Sequence, residues 1–370
     1  LRRAGLGGTR SLRGIDIGVL DPFDAVEAAR KPSALPTVLH LRRPGREIDG
    51  LSNGSRFTAW LHAHCMFSPA EGALLTMSSL RQPPAAQAGA ITIPSAWSRL
   101  LASGAGHWLG ALLLIGLPFV AINILTKLFL ADAGMRDVSN AIKTIVLVAS
   151  YWVYVQKWER RPVVELSGAG AASESLAGLL LGGLLFTAVV AVLAGLGVYS
   201  VLTAGSWDRM PAVVAAMLPK VAAGALMEEL LFRLVLLRLL ERSFGTTPAL
   251  IASSLLFGLA HLGNPGATLW LCLGMAAEIG LLFGAAYLLT RRIWLCAAMH
   301  VGWNFAQGAI FSIAVSGQSG EGLLRGQLTG PGWLTGGVFG AEGSLVAVVV
   351  CLAASAVLLD RVRRRRSTRL

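Results

Sequence analysis

The polar and apolar positions divide the chain sharply. From His107 onward, long apolar runs alternate with short polar or basic stretches, at roughly 108–130, 140–156, 175–200, 211–238, 247–262, 267–289, 293–315 and 342–360. Most approach the ~20 residues that a helix needs to cross a bilayer's hydrocarbon. The pattern predicts an all-α polytopic membrane protein, with about eight transmembrane helices around an intramembrane polar cavity. The fifth run is short and stops at Gly263-Asn264-Pro265-Gly266, a strong turn signal. The Gly-rich stretch 316–341 is long enough to fold as a loop over one face. No internal repeat is evident, which argues against an inverted-repeat transporter.

Composition supports the membrane class. Of 370 residues, 54% are hydrophobic and only 14% charged, and mean hydropathy is +0.64, outside the usual range of a soluble protein. The net charge of +12 suggests nucleic acid at first sight, but six arginines between Arg361 and Arg369 supply much of it. Basic residues beside an apolar span are topology signals, so the expected partner is the lipid bilayer and no nucleic acid. Lys157, Arg160 and Arg161 follow run two, Arg238 and Arg242 follow run four, and Arg291 and Arg292 follow run six. Alternate connections carry few cations. The bias puts both termini in the cytoplasm, and the Ala-, Gly-, Leu- and Arg-rich composition points to a bacterial plasma membrane. Cys65, Cys272, Cys296 and Cys351 are scattered, with no C-x-x-C spacing.

Three segments follow: 1–95, a disordered or mis-annotated N-terminal extension; 96–360, the transmembrane domain; and 361–370, a basic cytoplasmic tail. Residues before about 95 are rich in Arg, Gly, Pro and Ser, without sustained apolar periodicity. The sequence opens on Leu1, and Met77 is a candidate start. His62-x-His64 and the Asn53-Gly54-Ser55 sequon are expected to be incidental, and no signal peptide is evident.

Against this apolar background the charges inside run four stand out. Glu228, Glu229 and Arg233 lie mid-run, and each charge at a helix centre costs roughly 2.5–3.5 kcal/mol if it faces lipid. They are therefore expected to face protein or a hydrated cavity. Glu229 and Arg233 are four apart and share a helix face, so they pair. Glu228 lies about 100° round the helix and points elsewhere. A carboxylate left unpaired in low dielectric takes up protons more readily than in water, which suits a general base. A buried structural ion pair plus one satisfied polar residue would account for the same three residues.

Runs five to seven add His261, Glu278, His300 and Asn304, whereas runs three and eight carry almost no polar residues. Phe257 and His261 are four apart, as are His300 and Asn304, so each pair projects from one face. Glu228 lies ten residues before Arg238, His261 thirteen after Pro248, and His300 eight after Arg292. At 1.5 Å per residue these are depths of about 15, 20 and 12 Å from the cytoplasmic side, compatible with one cavity.

These residues carry a resemblance. The order E-E-x-x-x-R, F-x-x-x-H, H-x-x-x-N, read at Glu228-Glu229 to Arg233, Phe257 to His261 and His300 to Asn304, is similar to that of the type II CAAX prenyl endopeptidase and bacteriocin-processing family, the glutamate-type intramembrane proteases. Each motif is short, but three in order on three separate runs are specific. Glu159-Arg160-Arg161-Pro162 and the stretch from Gly336 to Ser344 are further phrases of that kind. The resemblance covers about 108–360. It implies a membrane endopeptidase without cofactor, acting on a membrane-associated peptide or protein. It further implies that Glu228 and His261 activate water, His300 and Asn304 stabilise the oxyanion, and Glu229, Arg233 and Phe257 give structural support. Glu278 lies outside the motifs, as a cavity residue or a satisfied buried one.

Two other classes fit parts of the pattern. A zinc-dependent membrane protease would use the histidines and carboxylates as ligands, although H-E-x-x-H is absent. A non-catalytic bacteriocin-immunity or scaffold protein would keep the cluster for packing or binding.

Overall fold

The computed structural model describes residues 103–130, 135–320 and 322–368. The expectations for residues 1–95, with Asn53, His62, His64, Cys65 and Met77, lie outside the described residues. Within them the chain is mostly helical. The long helices are α1 (Gly104–Phe129), α2 (Asp137–Trp158), α3 (Ala171–Gly195), α4 (Trp207–Phe244), α5 (Thr246–Leu259), α6 (Leu269–Thr290), α7 (Ile293–Phe305) and α8 (Leu345–Ser367).

Six of these helices, all but α5 and α7, are long and apolar enough to cross a membrane. The chain is therefore an integral membrane protein with about eight helices, as the apolar pattern predicts. Helix α5 has only 14 residues, about 21 Å of rise, too short to span alone. The run expected to reach 315 is helical only to Ile310, through a π-helical turn, Ala306–Ile310. His300, Asn304 and Gln307 reduce its hydropathy, so the two helices that deviate most from simple spans are the two that carry the histidines.

The helical fold carries one small sheet, where the third run was expected to continue as helix. The run predicted as helix to residue 200 ends at Gly195, and Tyr199–Ala204 (β1) pairs antiparallel with Leu324–Leu328 (β2). Gly197, with φ +72°, breaks the helix, and the β-branched and aromatic residues beyond it suit a strand. The Tyr199 hydroxyl donates to the Phe311 carbonyl at 3.2 Å, tying the sheet to the residue that follows the π turn after α7.

Helix α7 is held by glycine. Gly178 and Gly182, one turn apart on α3, face the backbone of α7, and Gly302 of α7 faces Leu179 of α3. A Cβ at Gly182 would lie 1.9 Å from the Met299 carbonyl oxygen. Small residues let helix backbones approach closely where lipid supplies no hydrophobic drive between helices. The ring of Phe186 then meets Trp303 edge-on at 5.0 Å. Helix α5 meets α6 in the same way, through Gly258 against the Cys272 carbonyl and Gly280 against Ser254.

At the basic end of the bundle, buried Glu159 gathers Arg238 at 2.6 Å, Arg161 at 2.8 Å and Arg242 at 3.3 Å. Burial pushes its carboxyl up, but Arg238 and Arg161 outweigh burial and hold it below its ordinary value. The network joins the end of α2 to α4, which carries the first motif.

Candidate active site

Three helices supply the site. Helix α4 contains Pro219 and passes into π-helical geometry over Leu230–Leu237. Glu228 and Glu229 end its regular part and Arg233 lies in the π segment. Such segments recur at functional sites because they re-aim side chains without ending the helix. A second π turn, Ala276–Gly280, faces it from α6. The Arg233 guanidinium donates to the carbonyls of Ile279 at 3.3 Å and Gly280 at 3.1 Å in that turn.

Glu229 and Arg233 pair as predicted, with Nε 3.1 Å from Oε2 and both side chains fully buried. The structure adds a partner that spacing did not indicate. His300 Nδ1 lies 3.0 Å from Glu229 Oε1. A carboxylate beside a guanidinium only accepts, so Nδ1–H donates. Arg233 also lies 4.7 Å from the centre of the Phe257 ring and 5.7 Å from that of Phe283, within cation–π range.

Glu228 points away from this pair. Its Oε2 is 3.9 Å from His261 Nε2 and 4.0 Å from His300 Nε2. These separations are too long for direct hydrogen bonds but place both ring nitrogens beside the carboxylate. That oxygen is buried and has no hydrogen-bond partner, while the residue as a whole is partly exposed. His261 Nδ1 lies 2.9 Å from the Phe257 carbonyl oxygen, an acceptor, so it too carries the proton. In their neutral forms both imidazoles therefore turn Nε2 lone pairs toward Glu228. The Gly263–Gly266 turn holds this end of α5, with Asn264 N–H donating to the His261 carbonyl at 3.0 Å.

Asn304 lies one turn beyond His300 and is partly exposed. Its amide makes no hydrogen bond to the described residues, so its donors are available to a ligand. Glu278 is fully buried, and both its oxygens lack partners. It does not join the Glu228 cluster by any hydrogen bond or ion pair.

Two contributors escaped the sequence. Phe283 stacks on the His300 ring at 4.8 Å, yet it sits in an unmarked Leu/Phe/Gly/Ala run. Glu342 is buried and accepts from the backbone N–H of Ser316 and from its hydroxyl, the latter at 2.9 Å. The stretch from Gly336 to Ser344 was the one signal that could have pointed to it.

Fold and site together define a polytopic membrane protein with a buried glutamate–histidine cluster inside its helical bundle. Residues 210–306 match the family model described as type II CAAX prenyl endopeptidase Rce1-like. That stretch is thus similar to a CAAX-protease-type domain, and the resemblance drawn from the three motifs is borne out over it. The match includes all three motifs and leaves α1–α3 and α8 outside. No curated protein and no solved structure matches the chain.

Proposed function

We propose that the protein is an intramembrane endopeptidase that hydrolyses a peptide bond of a membrane-associated peptide or protein, with Glu228 as general base. The observation that carries this is the Glu228 carboxylate, which has no permanent cation beside it and one buried, unpartnered oxygen 3.9 and 4.0 Å from two imidazole Nε2 atoms. A water there gives one proton to Glu228 and holds its second toward His261 Nε2. Its oxygen attacks the carbonyl carbon, and the π pair moves onto the carbonyl oxygen. On collapse the C–N bond breaks, and the proton on Glu228 passes to the leaving nitrogen.

The oxyanion needs N–H donors. Asn304 offers them unconditionally. His300 offers one only as imidazolium, because its Nδ1 proton is committed to Glu229. Glu229 faces that ring at 3.0 Å, and Arg233 holds Glu229 in place at 3.1 Å.

The test is cleavage of a membrane-anchored peptide by purified protein, wild type against Glu228→Gln, with and without a strong chelator. The expected result is activity that survives the chelator and is lost in Glu228→Gln, with folded protein at the wild-type level. Full activity in Glu228→Gln refutes the general-base role. Loss with chelator and recovery with zinc would replace it by a metalloprotease mechanism.

A further inference from the structure

Phe283 lies on α6 just beyond the π turn Ala276–Gly280 and is fully buried. Its ring centre is 4.8 Å from that of His300, with 30° between the planes, a stacked arrangement. The Arg233 guanidinium lies 5.7 Å from the centre of the same Phe283 ring. Arg233 also donates to the Ile279 and Gly280 carbonyls, in the turn from which Phe283 follows. Phe283 therefore adjoins both ends of the buried chain Arg233–Glu229–His300, whose links measure 3.1 and 3.0 Å.

One hydrogen bond does not fix an imidazole. The ring torsion of histidine is broad, and an N–H···O contact keeps much of its strength over tens of degrees. Glu229 holds only Nδ1, so the plane of the ring, and with it the direction of Nε2, needs a second restraint. Phe257 meets His300 only edge-on, at 6.2 Å and 69°. The face is supplied by Phe283. His261 is held by a comparable pair of contacts: the Phe257 carbonyl lies 2.9 Å from its Nδ1, and the Phe257 ring lies 5.1 Å away, tilted by 48°. Phe257 is on the helix that bears His261, whereas Phe283 reaches His300 from a different helix. We propose that Phe283 is a positioning residue whose ring face sets the plane of His300 and so aims Nε2 at the Glu228 carboxylate, 4.0 Å away. This rests on the hydrolytic reading of the cluster.

The experiment compares Phe283→Leu with Leu282→Ala in the full chain in lipid nanodiscs. Leu282 is also fully buried, one residue earlier on the same helix, and points about 100° away. Both changes truncate the core and should lower the melting temperature. Only Phe283→Leu should lose kcat, by about 10–10²-fold, the scale of a misaimed catalytic group, with KM within twofold. A second readout needs no substrate. With ¹³C-labelled histidine, the His300 ring C–H signals, assigned by their absence from His300→Gln, should lose the upfield shift that a stacked aromatic face imposes. Leu282→Ala should leave them in place. Equal kcat losses in the two variants, or unmoved His300 signals in Phe283→Leu, overturn the inference. If wild type cleaves peptide, either result leaves the hydrolase standing. Should Phe283→Leu fail to accumulate, Phe283→Met fills the space with a flexible chain and still removes the aromatic face; it should show the same loss and the same shift. Wild type inactive on membrane-anchored peptides overturns the hydrolytic reading and the role of Phe283 in it, while the ring signals still decide the stacking.

Discussion

Gly182→Ala is a one-carbon change at a residue that carries no chemistry of its own, yet the close approach of α3 to α7 predicts a large effect on the site. The new Cβ would lie 1.9 Å from the Met299 carbonyl oxygen, 2.8 Å from its carbon and 2.9 Å from the Trp303 nitrogen. All three are backbone atoms, so no rotamer change relieves the contact. Real Cβ contacts essentially never fall below 3.0 Å, so the helices must separate by about 1 Å, at a typical overpacking cost of ~1–3 kcal/mol. Met299 precedes His300, and the shift is transmitted to its ring. A misplacement of ~1 Å in a catalytic group can cost about 10²-fold in rate. The control is the neighbouring Gly183→Ala, whose Cβ would lie 3.7 Å from the Gly302 oxygen, an ordinary contact. The assay is peptide cleavage per milligram of monodisperse protein, alongside a thermal melt in the same detergent. Gly182→Ala should lose about 10²-fold in kcat with a moderately lowered melting temperature, and Gly183→Ala should resemble wild type. Equal activity in the two variants would refute the reasoning that α3 sets the position of His300.

Arg233→Ala should cost about 3–5 kcal/mol, because it strands fully buried Glu229; accumulation in membranes should collapse, and Glu229→Gln in the same chain should restore part of it. Wild-type abundance of Arg233→Ala would contradict the pairing. Asn304→Ala should leave abundance intact and reduce kcat by about 10²–10³-fold if its amide serves the oxyanion; loss of abundance alone would contradict that role. In a cysteine-free background, single cysteines beside Glu228, His261 and His300 should react with a polar thiol reagent supplied at the arginine-rich end. Labelling solely from the opposite side would reverse the proposed orientation, with both termini cytoplasmic.

Much of this protein is legible in one dimension because the bilayer constrains it so strongly. A chain this apolar has to satisfy its backbone within helices, so run length alone locates α1–α4, α6 and α8 to within a few residues, apart from the ends of α3, which stops at 195 rather than 200, and of α4 and α8, which run on to 244 and 367 rather than 238 and 360. The intervals of four within Glu229–Arg233, Phe257–His261 and His300–Asn304 are set by the helical repeat, and charges in apolar runs carry a cost that marks them for a role. What joins the motifs to one another was decided in three dimensions. No spacing relates Glu229 to His300, 71 residues away, yet their 3.0 Å contact settles which ring nitrogen bears the proton. The closeness of α3 to α7 depends on which face Gly178 and Gly182 present, and hydropathy does not record that. The two-stranded sheet of β1 and β2 joins segments more than a hundred residues apart. Glu342 is buried and bonded to Ser316, 26 residues away, only because the glycine-rich stretch between them folds back. Local periodicity specifies the elements and the faces they expose; the electrostatics of a buried site depend on distances between elements, and only tertiary packing sets those.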